Sequence, residues 1–288
     1  MPHATINGIK IYYEVHGEGF PIVWCHEFAG DYRSWSRQVE FFQRHYRVIT
    51  YNARGYEPSE VPTDGSLYSQ EQDIEDLRGL LQHLGIGRAH IGGFSMGASV
   101  ALNFGLAYPS IARSLVLAGI GTGSTDPALF RSRIQEFARR LETEGMSSMS
   151  DYPRGPERVQ LLRKDAKGWE EFADHFLHQS STGLALTLRG VLGRRPSIFE
   201  LEAKLRSLDV PVLIMVGDED DPCIEASVFL KRCISASGLV VFPQTGHTIN
   251  LEEPELFNQW IMTFLKKIEG GEWAKRDRGI ASASLMSG

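Results

Sequence analysis

Gly93-Phe94-Ser95-Met96-Gly97 is the stretch that decides the fold, because it fits the pattern G-x-S-x-G. It follows an apolar, strand-like stretch at residues 89–94 and precedes a helix-like stretch at residues 96–108. Glycines on both sides of a serine allow a strand to turn sharply into a helix, and they hold the hydroxyl group clear of neighbouring side chains. The start of the helix supplies backbone N–H groups beside it. The stretch therefore predicts a nucleophilic Ser95 at a strand-to-helix turn.

Strand-like and helix-like segments alternate on both sides of this turn. Strand chemistry occurs at residues 10–16, 22–25, 47–51, 89–94, 114–118, 210–216 and 239–242. Segments with helical periodicity separate most of these strands, which predicts an α/β fold with a mostly parallel central sheet flanked by helices. Between residues 125 and 205 the pattern is helical only. We therefore expect a core at residues 1–124 and 206–288 and a helical insertion at residues 125–205.

The composition of the chain argues against nucleic acid and membranes as binding partners. Hydrophobic residues make up 42% of the 288 residues, which is enough for a sizeable core. Thirty Lys and Arg against 36 Asp and Glu give a net charge of −6, so no excess of positive charge is available to bind nucleic acid or an anionic membrane. No apolar run approaches the ~18 residues of a membrane span, and the N-terminus does not resemble a signal peptide. We expect a cytoplasmic protein that acts on a small molecule, with no nucleic-acid or membrane partner.

The cysteines and histidines do not suggest a metal site. Cys25, Cys223 and Cys233 show no C-x-x-C spacing, which argues against a disulfide framework and a zinc ribbon. Neither an H-E-x-x-H motif nor a phosphate-binding loop of the G-x-x-x-x-G-K-[ST] type is present. We therefore expect no metal and no cofactor.

A serine hydroxyl needs a base to become nucleophilic, and the base needs an orienting carboxylate. His247 follows the strand at residues 239–242 directly, and Gly246 before it gives the imidazole room to turn toward the serine. We expect His247 to be the base.

The carboxylate is expected after the strand at residues 210–216, where residues 217–222 read G-D-E-D-D-P. The proline suits the first turn of a helix, so Asp221 is interpreted as the N-cap of that helix. Asp220 is then the predicted acid, and Asp218 and Glu219 are lesser candidates. The chain order Ser95, Asp220, His247 is typical of one triad fold.

The G-x-S-x-G stretch, the acidic loop and His247 together make the sequence resemble the α/β-hydrolase superfamily. The resemblance runs from about residue 6 to residue 265. The residues at 51–55, Y-N-A-R-G, are similar to the D-x-R-G stretch of that family. The resemblance implies that the helical insertion is a cap over the site, and that the backbone N–H groups of Phe28 and Met96 form the oxyanion hole. A serine at the elbow argues against the haloalkane dehalogenase and epoxide hydrolase branches, which use a carboxylate nucleophile.

The sequence departs from the family pattern at one position in the predicted oxyanion loop. Many members have His-Gly after the third strand, whereas here the pair is His26-Glu27. One interpretation is that Glu27 turns away and pairs with a basic group such as Arg33 or Arg54. The other is that Glu27 lies in the pocket near the substrate. His26 is interpreted as a loop-ordering residue rather than a catalyst.

The motifs together predict a serine hydrolase that cleaves an ester or lactone of a small or medium organic molecule through an acyl-enzyme on Ser95. Three alternatives stay open: a hydrolase of carbon–carbon bonds in diketone-like ring-cleavage products, a cofactor-free perhydrolase or haloperoxidase, and a ligand receptor that retains the triad. The insertion holds 13 Lys and Arg and 12 Asp and Glu, so a highly charged substrate is not expected. The polar tail after Glu269 is typical of a frayed terminus, with a docked arm or one that bridges a homodimer as the alternative.

Overall fold

A computed structural model describes residues 2–276 of the protein. Within these residues eight strands form one sheet: β1 (His3–Ile6), β2 (Ile9–His16), β3 (Phe20–Cys25), β4 (Tyr46–Tyr51), β5 (Ala89–Phe94), β6 (Ala112–Ala118), β7 (Val212–Gly217) and β8 (Ser237–Phe242). Their order across the sheet is β1-β2-β4-β3-β5-β6-β7-β8. The pairs β1/β2 and β2/β4 are antiparallel, and every pair from β4/β3 to β7/β8 is parallel. The mostly parallel sheet predicted from the sequence is confirmed.

Helices connect the parallel strands. The α-helices of the described residues are α1 (Ser36–Phe42), α2 (Gln70–His83), α3 (Met96–Ala107), α4 (Pro127–Glu144), α5 (Val159–Lys164), α6 (Ala166–Leu177), α7 (Ser181–Thr187), α8 (Glu202–Arg206), α9 (Asp221–Cys233), α10 (Ile249–Glu252) and α11 (Pro254–Glu269). A π-helical turn, Leu188–Leu192, continues α7. Helices α4 to α8 all lie between β6 and β7. Apart from Arg206, the last residue of α8, they fall in residues 125–205, which we call the inserted segment. None of the helices among residues 2–276 is both long and apolar enough to cross a membrane.

Three short elements, β1, α5 and α10, do not appear in the sequence-based prediction. β1 joins β2 through Asn7 and Gly8, whose φ angles are 48° and 84°. This left-handed backbone is typical of a two-residue hairpin turn, and Asn-Gly is its usual sequence. Helix α5 has six residues, too few for a helical period to stand out.

Apolar side chains cover both faces of the sheet. One face packs against α2, α3 and α9, and the other packs against α1 and α11. A third cluster joins the inserted segment to the strand-end loops, and it contains the predicted oxyanion residues Phe28 and Met96 beside Trp169, Phe176 and Leu188. The inserted segment therefore packs directly against the loops that carry the predicted site.

The beginning of the C-terminal tail is docked, contrary to the expectation of a terminus that frays after Glu269. Trp273 packs edge-on against Phe264 with ring centroids 4.7 Å apart, and its indole Nε1 donates to the carbonyl of Ala236 at 2.8 Å. A partly buried aromatic side chain whose N–H has an acceptor anchors the chain here. Residues 277–288, on which the dimer-bridging alternative depends, lie outside the described residues.

A buried ion pair fixes the Y-N-A-R-G stretch beside the predicted oxyanion loop. The Arg54 guanidinium donates to both Asp76 carboxylate oxygens, at 2.7 and 2.9 Å, and both side chains are at most 2% exposed. Loss of one partner of a buried pair leaves an uncompensated charge, which costs about 3–5 kcal/mol.

We therefore expect Asp76→Ala to lower the free energy of unfolding by about 3 kcal/mol or more in urea titrations. The adjacent Glu75 provides the control, because its carboxylate is partly exposed and pairs with Arg78 and with the Tyr108 hydroxyl group. Loss of such an exposed pair costs at most about 1 kcal/mol in Glu75→Ala. Equal losses in the two variants would contradict the assignment of the Arg54–Asp76 pair as a structural anchor.

Candidate active site

Ser95 lies between β5 and α3 in a strained conformation. Its φ of 54° and ψ of −111° are unusual for a residue other than glycine, and strain of this kind is typical of a nucleophile elbow. The flanking glycines allow the turn because the backbone is crowded. A Cβ on Gly93 would lie 2.1 Å from the Gly97 carbonyl oxygen, and a Cβ on Gly97 would lie 2.1 Å from the Cys25 carbonyl oxygen. Both positions of the G-x-S-x-G pattern therefore require glycine.

A chain of hydrogen bonds links three strand-end loops at this turn. His247 Nε2 lies 2.9 Å from Ser95 Oγ, and His247 Nδ1 lies 2.8 Å from Asp220 Oδ2. The imidazole packs against the Phe94 ring at 4.8 Å, and Asp220 is fully buried. The three residues predicted from the sequence thus meet in the order that base-assisted attack by a serine requires.

The four carboxylates of the loop at residues 217–222 have different partners. Asp218 accepts from the backbone N–H of Thr245, and Glu219 accepts from Gln160. The prediction that Asp221 is the N-cap of α9 is wrong: Asp220 occupies that position, and it makes no side-chain capping bond. The Asp220 carboxylate turns instead toward the imidazole.

The charge state of Asp220 suits an orienting role. Burial opposes its ionisation, but the neighbouring His247, with Cys223 and Arg158, holds the pKa of the carboxyl below its ordinary value. Its Oδ2 meets His247, and its Oδ1 has no hydrogen-bond partner among the described residues. An ionised Asp220 favours the imidazole tautomer that carries its proton on Nδ1 and leaves Nε2 free to accept the serine proton.

Cys223 completes a compact group with Asp220 and His247, whose possible metal-ligand atoms lie within 4.8 Å of one another. Burial raises the pKa of the Cys223 thiol well above its ordinary value, so the sulfur keeps its proton. The thiol donates to the Gly119 carbonyl at 3.3 Å. His247 Nδ1 is already engaged by Asp220 Oδ2 at 2.8 Å. The group fits the hydrogen-bond chain of the site better than a metal centre.

The loop after β3 holds the Glu27–Phe28 peptide in a fixed orientation. The Glu27 carbonyl accepts from His26 Nδ1 at 2.7 Å and from the Gly30 N–H at 3.3 Å. His26 Nε2 accepts from the Ala53 N–H at 3.0 Å, so Nδ1 carries the proton. Because this peptide is trans, its N–H, which belongs to Phe28, points away from the fixed carbonyl. The contacts match the loop-ordering interpretation of His26, and burial lowers its pKa and keeps the ring neutral.

Tyr56 links the two predicted oxyanion residues. Its hydroxyl donates to the Phe28 carbonyl at 3.1 Å and lies 3.9 Å from the Met96 sulfur. Met96 is the first residue of α3, so its backbone N–H has no acceptor within the helix. Tyr56 therefore fixes the loop on one side of the site relative to the helix start on the other.

Glu27 does not pair with Arg33 or Arg54, because each of these arginines is bound to an aspartate of its own. Its partner is Arg158 of the inserted segment, whose Nη2 lies 3.4 Å from Glu27 Oε2. Glu27 is 1% exposed. Burial raises the pKa of Glu27, while attraction to Arg158 and His247 opposes the rise. Glu27 is thus buried and paired with a basic group, which is Arg158 rather than Arg33 or Arg54, and its place near a substrate stays a prediction.

Comparison with known proteins agrees with this geometry. The family model of the alpha/beta hydrolase fold matches residues 21–254. The chain belongs to this family. Among solved structures, the thermophilic esterase of Thermogutta terrifontis superposes on this alpha/beta hydrolase with a TM-score of 0.83 at 28% identity, covering 93% of this chain and 98% of the esterase. The enol-lactonase of Burkholderia xenovorans LB400 superposes with a TM-score of 0.81 at 25% identity, and the match covers 92% of this chain and 100% of the lactonase.

A curated relative is also similar along most of its length. The 2-hydroxy-6-oxononadienedioate/2-hydroxy-6-oxononatrienedioate hydrolase of Burkholderia vietnamiensis is 29% identical over 261 residues, which cover 83% of each chain. These three relatives act on different compounds on a shared fold. The family alone therefore does not select a substrate for this alpha/beta hydrolase.

Sequence reasoning missed Tyr56, Glu157 and Arg158 at this site. Tyr56 directly follows the Y-N-A-R-G stretch, so that motif was a signal for it. Nothing local singles out Glu157 or Arg158, which lie in a polar stretch of the inserted segment and reach the catalytic loops only through the tertiary fold.

Proposed function

We propose that this alpha/beta hydrolase cleaves an ester or lactone of a small or medium organic molecule through an acyl-enzyme on Ser95. The observation that carries the proposal is the unbroken hydrogen-bond chain from Ser95 through His247 to the buried Asp220, with spacings of 2.9 and 2.8 Å. Spacings in this range are those that proton transfer from a serine to its base requires.

The chemistry follows from these positions. His247 Nε2 takes the Ser95 proton as Oγ attacks the carbonyl carbon, and the carbonyl oxygen becomes an oxyanion. The N–H groups of Phe28 and Met96 stabilise this charge, a contribution of about 3–4 kcal/mol for a well-placed donor. His247 then protonates the leaving alkoxide, and the acyl group stays on Ser95. A water molecule, deprotonated by His247, releases the acid and regenerates the serine.

Two relatives support the choice of substrate class, since one is named an esterase and another an enol-lactonase. An ester releases an alcohol and an acid, whereas a lactone opens to one hydroxy acid because the leaving alkoxide remains attached to the acyl group. A second candidate is hydrolysis of a carbon–carbon bond in a diketone-like compound. The Burkholderia vietnamiensis relative, which is named a hydrolase of an oxo-dienedioate, favours it.

A substrate panel tests both candidates. Purified protein is offered p-nitrophenyl esters of increasing acyl length, lactones of several ring sizes, amides, and a diketone-like ring-cleavage product, and product formation is followed over many turnovers. We expect sustained turnover of esters or lactones. Turnover confined to the diketone would favour the second candidate, and a slow reaction that stops after one equivalent would favour a ligand receptor.

The redox chemistry of the chain supports a cytoplasmic location as part of the proposal. All three cysteines are buried, and Cys25 and Cys223 are free thiols. Free thiols persist in reducing compartments, and burial protects them from adventitious oxidation.

A further inference from the structure

The inserted segment contacts the His247 loop through the residues around α5. The backbone N–H of His247 donates to the Glu157 carbonyl at 2.6 Å. Gly246 lies so close that an added Cβ would be 2.5 Å from the same carbonyl oxygen. Lys164, at the end of α5, donates to Thr245 Oγ1 at 3.0 Å. The backbone of the proposed base is therefore held by residues of the inserted segment.

Arg158, the residue after Glu157, extends toward the loop after β3, which carries Glu27 and Phe28. Its guanidinium stacks over the Tyr152 ring at 4.4 Å and reaches Glu27 Oε2 at 3.4 Å. Glu27 shares a peptide with Phe28, the proposed oxyanion donor. The Glu27 side chain is attached to the Cα that directly precedes this peptide. A contact that restrains the side chain therefore also restrains the peptide. Neighbouring residues of the inserted segment thus hold the base and the oxyanion loop at the same time.

The geometry of the Glu27–Arg158 pair is poor for stabilising the fold. The two side chains share one long contact, and Glu27 Oε1 and Arg158 Nε have no hydrogen-bond partner among the described residues. A buried ion pair offsets its desolvation cost only when its geometry is good and its remaining polar atoms are satisfied. Neither condition holds here, so the contribution of this pair to stability is small or unfavourable.

We propose that Glu157 and Arg158 form a clamp that positions both catalytic loops: the Glu157 carbonyl holds the His247 backbone, and the Arg158 guanidinium holds Glu27 beside the oxyanion hole. Both are positioning residues, and the clamp rests on the proposed function. The clamp gives a role to Glu27, at a position where many family members have glycine. Glu27 is the residue of the core that Arg158 of the inserted segment contacts.

Labelling kinetics with a fluorophosphonate test the clamp without knowledge of the substrate. The phosphoryl oxygen of the probe occupies the oxyanion hole during attack by Ser95, so the maximal rate kinact reports the alignment of the site and KI reports binding. We expect Arg158→Met to lower kinact by about tenfold or more, with KI within about twofold, because misplacement of a catalytic group costs rate rather than affinity.

Arg154→Met is the matched control. Arg154 also stacks over an aromatic ring of the inserted segment, Trp169 at 4.6 Å, and it is exposed. The clamp is wrong if Arg158→Met and Arg154→Met label at the same kinact. If the wild-type protein is not labelled at Ser95, the proposed function itself fails, and this outcome is distinct from the first.

The double variant Glu27→Gln/Arg158→Met separates positioning from folding, because it leaves no uncompensated charge buried. We expect its kinact to match that of the slower single variant rather than the product of the two effects, and its Tm to equal or exceed the wild-type Tm. Multiplicative effects would show that the two residues act independently. A fall in Tm together with kinact would assign the pair to folding. Either result overturns the clamp.

Discussion

Ser95→Ala is expected to abolish covalent labelling by a fluorophosphonate and to lower kcat on the best ester or lactone by on the order of 10⁶-fold. The hydroxyl is the atom that forms the acyl-enzyme, and no other group at the elbow can replace it. Intact-mass spectrometry after incubation with the probe measures the labelling, and circular dichroism shows whether the fold is kept.

Ser99→Ala provides the control for this change. Ser99 lies one helical turn further along α3, where its hydroxyl donates to Gln70 Oε1 at 2.6 Å. Ser99 is buried, and its hydroxyl group faces α2 rather than His247. We expect wild-type labelling in this variant. Labelling that persists in Ser95→Ala, or disappears in Ser99→Ala, would show that the nucleophile is misassigned.

Asp220→Asn is expected to lower kcat by about 10⁴-fold with little change in KM. An asparagine can present its N–H₂ group to His247 Nδ1, which favours the tautomer with the proton on Nε2. The imidazole then cannot accept the Ser95 proton, although its position is unchanged. Steady-state kinetics on the best substrate of the panel measure the effect.

Asp218→Asn is the matched control in the same loop. The Asp218 carboxylate accepts from the Thr245 N–H at 3.2 Å and does not contact the imidazole. We expect at most a severalfold loss of kcat, from a small displacement of the loop. Comparable losses in Asp218→Asn and Asp220→Asn would contradict the choice of acid.

Local chemistry made much of this protein predictable. The alternating strand and helix patterns gave the mostly parallel sheet, because periodicities of 2 and 3.6 residues are properties of the chain itself. The elbow was predictable from its local pattern, since glycines on both sides of the serine leave the backbone room for the sharp turn. His247 and Asp220 followed from the rule that residues after parallel strands gather at one edge of the sheet.

The errors arose where a side chain had a choice of partners. Asp221 was predicted to cap α9 from its place before a proline, but the capping position belongs to Asp220, which bonds to His247 instead. Arg33 and Arg54 were reasonable partners for Glu27 by proximity in the sequence, but each is occupied by a closer aspartate. Short-range preference cannot rank such competitors, because the winning contact depends on burial and geometry.

The sequence by itself predicted a mostly parallel sheet, the elbow with Ser95, and His247, since each depends on patterns within a few residues or on strand ends. Among the acids of the loop after β7 it only favoured Asp220, which the tertiary structure places against His247. The tertiary structure alone decided which group meets Glu27. Arg158 is 131 positions away along the chain, in a segment with no motif. Whether such a pair forms depends on how the inserted segment packs against the core, and packing is a property of the assembled fold. The physical reason is that contact energies between distant side chains appear only once the backbone has brought them together.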